Sequence, residues 1–185
     1  MHAIITVAAA KGGVGKTTLA YELAAALNRT LVDLDWDAGG ATRMWGIDPN
    51  ATRRAPLLDA LERGPEGAAP RVRRKAHQPA IIPSHPDLSA SRIEADLVAD
   101  CLQSWAGHVD PPGLVVDTHP GANPLTDGAL SAAGIVVLPT ALGMRELAAL
   151  EQSLDELSGY RVVIVPTMVP TVPPRRLVER LAGLA

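Results

Sequence analysis

Between residues 11 and 18 the chain reads Lys-Gly-Gly-Val-Gly-Lys-Thr-Thr, directly after an apolar run and directly before a helix-period segment. A glycine-rich turn between a strand and a helix aims successive backbone N–H groups at one point, to which the helix N-terminus adds its positive end. That is a cradle for phosphate. Gly12, Gly13 and Gly15 permit the tight path, Lys16 supplies charge for β and γ phosphates, and the Thr17 hydroxyl can ligate Mg²⁺. The run Gly12, Gly13, Val14, Gly15, Lys16, Thr17 and Thr18 is therefore the expected nucleotide-contact loop. The full Gly-x-x-x-x-Gly-Lys-Thr spacing would begin with glycine at position 10, where this chain has Ala10.

Phosphate chemistry also needs carboxylates, and two aliphatic runs end in them: Leu31-Val32-Asp33-Leu34-Asp35 and Leu114-Val115-Val116-Asp117. An acid at the carboxyl end of a strand beside a phosphate loop stands where a metal ion is held or an in-line water is oriented. Asp117 is the metal candidate together with Thr17, and Asp35 the water-orienting one. The ordinary alternatives are a turn capped by Asp117 and a strand end solvated by Asp33, Asp35 and Asp37. The end of the last apolar run reads Val165-Pro166-Thr167-Met168, without the Asn-Lys-x-Asp that reads guanine. ATP is thus favoured, with Thr167 and Met168 at the base, although a methionine there serves plain packing equally well.

These residues need a scaffold, and the chain repeats one pattern: a short aliphatic run, a turn, then a helix-period segment. That is the mark of βα units around a buried parallel sheet. The pattern predicts strands at residues 3–9, 30–35, 80–83, 114–117, 135–138 and 162–165. Helices are predicted at 16–27, 90–105, 124–133, 144–157 and 175–184, with a shorter one at 57–61. Residues 62–79 lack periodicity, carry Gly and Pro, and include Arg71, Arg73, Arg74 and Lys75, so they read as a surface connection. The fold class is α/β: a three-layer, doubly wound, mostly parallel sheet flanked by helices, over 1–185 as one domain.

Composition narrows the function classes. With 47% apolar residues and no Phe the core is aliphatic and its helices Ala-lined. A formal charge of −3 excludes a uniformly basic nucleic-acid binder, so DNA contact would need a local or dimer-completed patch. Cys101 is the only cysteine, which rules out an intrachain disulfide and suits a reducing cytoplasm. The five histidines show no zinc-ligand spacing. No apolar run approaches the ~20 residues of a spanning helix, and the N-terminus lacks the charged start of a signal peptide.

With Lys11 at its head, the loop resembles the deviant Walker A motif of the ParA/MinD family of ATPases. The resemblance continues through Asp33-Leu34-Asp35-Trp36-Asp37-Ala38-Gly39-Gly40, where the family has Asp-x-Asp-Pro-Gln-Gly, and through Asp117-Thr118-His119-Pro120-Gly121, where it has Asp-Thr-Pro-Pro-Gly. Ala80-Ile81-Ile82-Pro83 and Ile135-Val136-Val137-Leu138-Pro139-Thr140 match further strands. Trp36 and His119 thus stand in place of two family prolines. The resemblance implies Mg²⁺-dependent ATP hydrolysis with Lys11, Lys16 and Asp35 catalytic, and a homodimer in which Lys11 reaches the other subunit's phosphates. It further implies non-specific DNA binding and release by a ParB-like stimulating protein. Arg175, Arg176 and Arg180 are the first candidates for DNA phosphates and the 71–75 cluster the second, although charge runs are also what a solvated face carries. A MinD-like membrane role is the alternative, through the amphipathic segment 175–185; its narrow apolar face without an aromatic anchor fits packing on the sheet better.

Overall fold

β-branched and aliphatic runs form strands when their faces can be covered, and here the central runs are covered on both. The computed structural model describes residues 4–9, 11–37, 40–51 and 55–184. Ala3, Ala10, Ala38 and Gly39, which belong to the strand, loop and motif readings above, lie outside the described residues. The strands are β1 (Ile4–Val7), β2 (Thr30–Asp33), β3 (Ile81–Ile82), β4 (Leu114–Asp117), β5 (Ile135–Ala141) and β6 (Val162–Thr167). They form one sheet in the order β3-β2-β4-β1-β5-β6, with every pairing parallel.

The helices are α1 (Lys16–Ala26), α2 (Ala41–Met44), α3 (Pro56–Arg63), α4 (Ala95–Ala106), α5 (Pro124–Ser131), α6 (Met144–Glu156) and α7 (Arg175–Ala182). Successive strand residues point to opposite layers. Ile4, Val32, Ile82, Leu114 and Val116 meet Leu57, Leu61, Val98, Leu102 and Leu125 from α3, α4 and α5. Ile5, Val7, Leu31, Ile81 and Val115 meet Ala20 and Ala24 of α1 on the other face. A third cluster seats Leu147 and Leu150 of α6 and Leu177 of α7 on Val136 and Leu138. The three-layer reading stands.

Some boundaries differ from the pattern, each for a local reason. Helix α4 begins at Ala95 rather than residue 90: Pro86–Ala90 forms a 3-10 turn closed by the Asp87 N–H on His85 Nδ1, and Ser91 and Glu94 are extended while Ile93 turns into the core. Residues 62–79 are not merely a surface connection. Glu62 and Arg63 complete α3, Pro70 is buried, and Arg73 makes an antiparallel bridge to Ile81 that closes the β3 edge. Strand β6 occupies the other edge and carries Pro166, a residue sheets accept at an edge.

Helices α4 and α5 approach so closely that a Cβ added at Gly128 would lie 2.4 Å from the Ala95 carbonyl oxygen and 2.6 Å from Val98 Cβ. Neither backbone can yield without moving a helix. Gly128→Ala is therefore expected to lower stability by about 1–3 kcal/mol. Urea denaturation checks this: the midpoint should fall while the slope is unchanged.

Candidate functional site

The segment between β1 and α1 turns through positive φ at Gly13 (84°) and Gly15 (83°), a region L side chains rarely enter. Gly15 then occupies the N-cap position of α1 and Lys16 its first turn, so the free N–H groups of that turn face the loop's concave side. Lys16 does not reach into solvent. The residue is 5% exposed; its Nζ donates to Asp117 Oδ1 at 2.8 Å and to the Thr118 carbonyl, and lies 3.6 Å from Asp35 Oδ2. One ammonium therefore gathers the phosphate loop and the ends of β2 and β4.

Register explains why these groups meet. Val7, Asp117 and Asp33 are aligned across β1, β4 and β2, which puts the acids at one level at the carboxyl end of the sheet. Asp117 Oδ2 is buried without a hydrogen-bond partner among the described residues. Burial pushes the Asp117 carboxyl above its usual range, opposed by Lys16 and by hydrogen bonding from Thr17. An orphaned carboxylate oxygen beside a threonine hydroxyl suits a hard divalent cation, so the residues present fit Mg²⁺.

Asp33, read from sequence only as a solvating acid, is the structural one. It is fully buried: Oδ1 accepts the Asp35 N–H at 3.0 Å, and Oδ2 accepts the N–H and hydroxyl of Thr42, both at 2.6 Å. Thr42 in turn accepts the Ser84 N–H at 2.8 Å, so this carboxylate ties β2 to the short α2 and to the residues after β3.

The remaining candidates are distributed as follows. Val14 is buried, whereas Lys11, Gly12 and Thr18 are exposed, Lys11 beside a shallow cleft it shares with Thr140, Glu146 and Ser153. Thr167 donates its hydroxyl to the Val14 carbonyl at 2.8 Å, and Thr167 and Met168 lie against Gly15, with Met168 69% exposed. Arg175 is paired with Glu179 on its own helix, and Arg180 makes two bonds to Glu151 at 2.9 and 2.7 Å that clamp α7 to α6. Arg176 is exposed and makes no ion pair among the described residues. In the other basic cluster Arg74 pairs with Asp110, and Lys75 lies 5.8 Å over the Trp45 ring. The two clusters occupy opposite edges of the sheet.

One contact has no counterpart in the sequence reading. Trp36, just after Asp35, stacks on His119, two residues after Asp117, with ring centroids 3.9 Å apart and planes 6° from parallel. Such pairs contribute about 0.5–1.5 kcal/mol beyond buried area. The only advance signal is that these are the two residues standing in place of prolines.

A parallel sheet with a glycine loop leading from a central strand into a helix, and strand-end acids gathered on the loop lysine, defines a P-loop nucleotide-binding fold. A family model described as an AAA domain (AAA_31) matches residues 2–162. The chain is 30% identical over 181 residues to the chromosome partitioning protein ParA of Caulobacter vibrioides, covering 89% of this chain and 66% of that one. It is 33% identical over 175 residues to the chromosome-partitioning ATPase Soj of Thermus thermophilus, covering 89% and 65%. The chain belongs to this AAA-domain family and, within it, to the ParA/MinD group of deviant Walker A proteins. It spans about two thirds of the length of the curated relatives it matches. Among solved structures, cobyrinic acid a,c-diamide synthase from Mycobacterium smegmatis, with a bound ATP analog and magnesium, superimposes with a TM-score of 0.77 at 22% identity, covering 99% of this chain and 79% of that one. At that identity the likeness concerns the fold.

Burial and the neighbouring Asp117 raise the Asp33 carboxyl to about 7, against the pull of its three hydrogen bonds. The folded chain then holds a proton that the unfolded chain releases near 4, so the stability tied to this proton is complete below pH ~4 and is lost as pH rises through about 7. Without Mg²⁺ or nucleotide, urea denaturation at pH 5 and pH 7.5 is expected to show a smaller loss in Asp33→Asn than in wild type. An equal loss in both would remove Asp33 as the source.

Proposed function

We propose that the chain is a partition-type ATPase that binds Mg²⁺ and ATP, pairs face to face with a second copy around the nucleotides, and binds DNA non-specifically in that form. Hydrolysis stimulated by a ParB-like partner then releases the DNA and so positions cargo. The observation that carries this reading is the convergence of Lys16, Asp35 and Asp117 at the mouth of a lysine-headed loop.

In this reading the loop amides and Lys16 hold the β and γ phosphates, and Lys16 exchanges its carboxylate partners for phosphate oxygens. Thr17 and Asp117 hold the metal ion, which offsets phosphate charge when bound. Asp35, with one carboxylate oxygen fixed by the Asp37 N–H at 3.1 Å, keeps the other for an in-line water. Lys11, exposed at the loop's head, is free to act on the second copy's phosphates. Thr167 and Met168 flank the base, and no acid there selects guanine. The membrane-surface alternative is weakened because α7 spends Leu177 and part of Leu181, and the turn after it part of Leu184, on the core beside α6.

Size measurement by light scattering with ATP, ADP or no nucleotide tests the dimer. The chain should double in mass with Mg²⁺ and ATP only, and Lys11→Ala should remain single; a mass unaffected by nucleotide would overturn the sandwich. Asp35→Ala should retain ATP binding and lose turnover, read as phosphate release, and equal rates for it and wild type would remove Asp35 from its role. For DNA, ATP-loaded protein should shift random duplex at low salt and lose it steeply as salt rises. Arg176→Ala is expected to weaken that shift more than Arg180→Ala, whose charge is already matched by Glu151.

A further inference from the structure

The two residues that replace family prolines lie on different strand ends, and they touch. Trp36 follows the water-orienting acid at the end of β2; His119 follows the metal-holding acid at the end of β4. Their rings are stacked at 3.9 Å and 6°. The edge of the imidazole is engaged as well, for His119 Nε2 lies 3.2 Å from Asp37 Oδ2. Nδ1 is buried without a partner among the described residues, so the ring's hydrogen bonding runs through that one contact. Behind the ring, Thr126 of α5 donates its hydroxyl to the His119 carbonyl at 3.1 Å, which anchors His119 to a helix packed in the core.

Contact with the chemistry follows through Asp37. Its N–H donates to Asp35 Oδ1 at 3.1 Å, and a carboxylate oxygen from each of Asp35 and Asp37 and a ring nitrogen of His119 all lie within 4.8 Å of one another. A proline at either position would stiffen its own segment alone, because its φ is locked independently of its neighbours. A stacked pair is different: each ring restricts the other, so the two segments are joined.

We propose that His119 is a positioning residue, which by stacking on Trp36 and holding Asp37 fixes the Asp35 carboxylate for water and makes the segments after β2 and β4 move as one. The proposal rests on the ATPase reading above and adds to it a mechanical link between the water-orienting and metal-holding acids. In this role His119 acts through Asp37 and Asp35. Loss of the link should therefore lower kcat and leave nucleotide capture by the loop intact.

Steady-state ATP turnover, binding of a fluorescent ATP analog, and tryptophan emission of the chain test it together. His119→Ala and Trp36→Ala should each lower kcat on the order of tenfold or more, as a displaced orienting group does, with KM and analog affinity within about twofold. The double variant should fall no further than the worse single one, because both remove one interaction. Trp36→Phe, which keeps a planar face, should retain more turnover than Trp36→Ala. Emission from Trp36, taken as the difference between chains with and without Trp36→Phe, should rise and shift to the red when His119→Ala is added. Multiplicative losses in the double variant, a rise in KM with kcat unchanged, or Trp36 emission indifferent to His119→Ala would each overturn the link. A wild-type chain that captures the analog but never hydrolyses ATP would instead overturn the ATPase reading and the positioning role with it, while emission would still report whether the stack forms.

Discussion

A buried ammonium between two carboxylates organises this molecule. Lys16 is almost fully enclosed, and removing a charge of that kind from water costs several kcal/mol unless opposite charge and hydrogen-bond acceptors surround it. Asp117, Asp35 and the Thr118 carbonyl supply them, two from the end of β4 and one from the chain just after β2. Asp117 is in place because β1 and β4 pair in register. Asp35 is in place because β2 runs beside β4 and its chain then bends around the Asp33 carboxylate. The strands must be parallel, in this order and at this register, for one lysine to satisfy all three.

Around that point the sheet lies between helix layers. Its strands are apolar on both faces, and α1 lies close to it because Ala20 and Ala24 present almost no side chain at the contact. An absence of Phe and a wealth of Ala, Val and Leu are thus the same fact as thin, tightly applied helix layers. Across the sheet, Gly128 does for α5 against α4 what the alanines do for α1, allowing backbone to approach backbone.

How much of this could be read beforehand follows from the range of the forces involved. The six strands and the longer helices are legible because aliphatic runs and helical period are local properties. The loop is legible because phosphate binding demands glycine, lysine and threonine at fixed spacing. Asp33 is not, because its role depends on α2, four residues too short to show a period, and on Thr42, nine residues away. The start of α4 is misread because Ile93 is drawn into the core at the expense of helix, a tertiary choice overriding propensity. Arg180 reads as surface charge until Glu151, on another helix, is found beside it. The Trp36–His119 contact joins residues 83 positions apart, beyond any window of local pattern.

The edges of the sheet are unequal. At β3 only two residues are extended, and the main chain of Ile81 is already occupied by Arg73. At β6 six residues are extended, they pair only with β5 among the described residues, and Val163 is 44% exposed. A further strand, from this chain or another, would find a ladder to join on the β6 side and a closed margin on the other. The sheet is therefore closed at its β3 border and, among the described residues, open at β6.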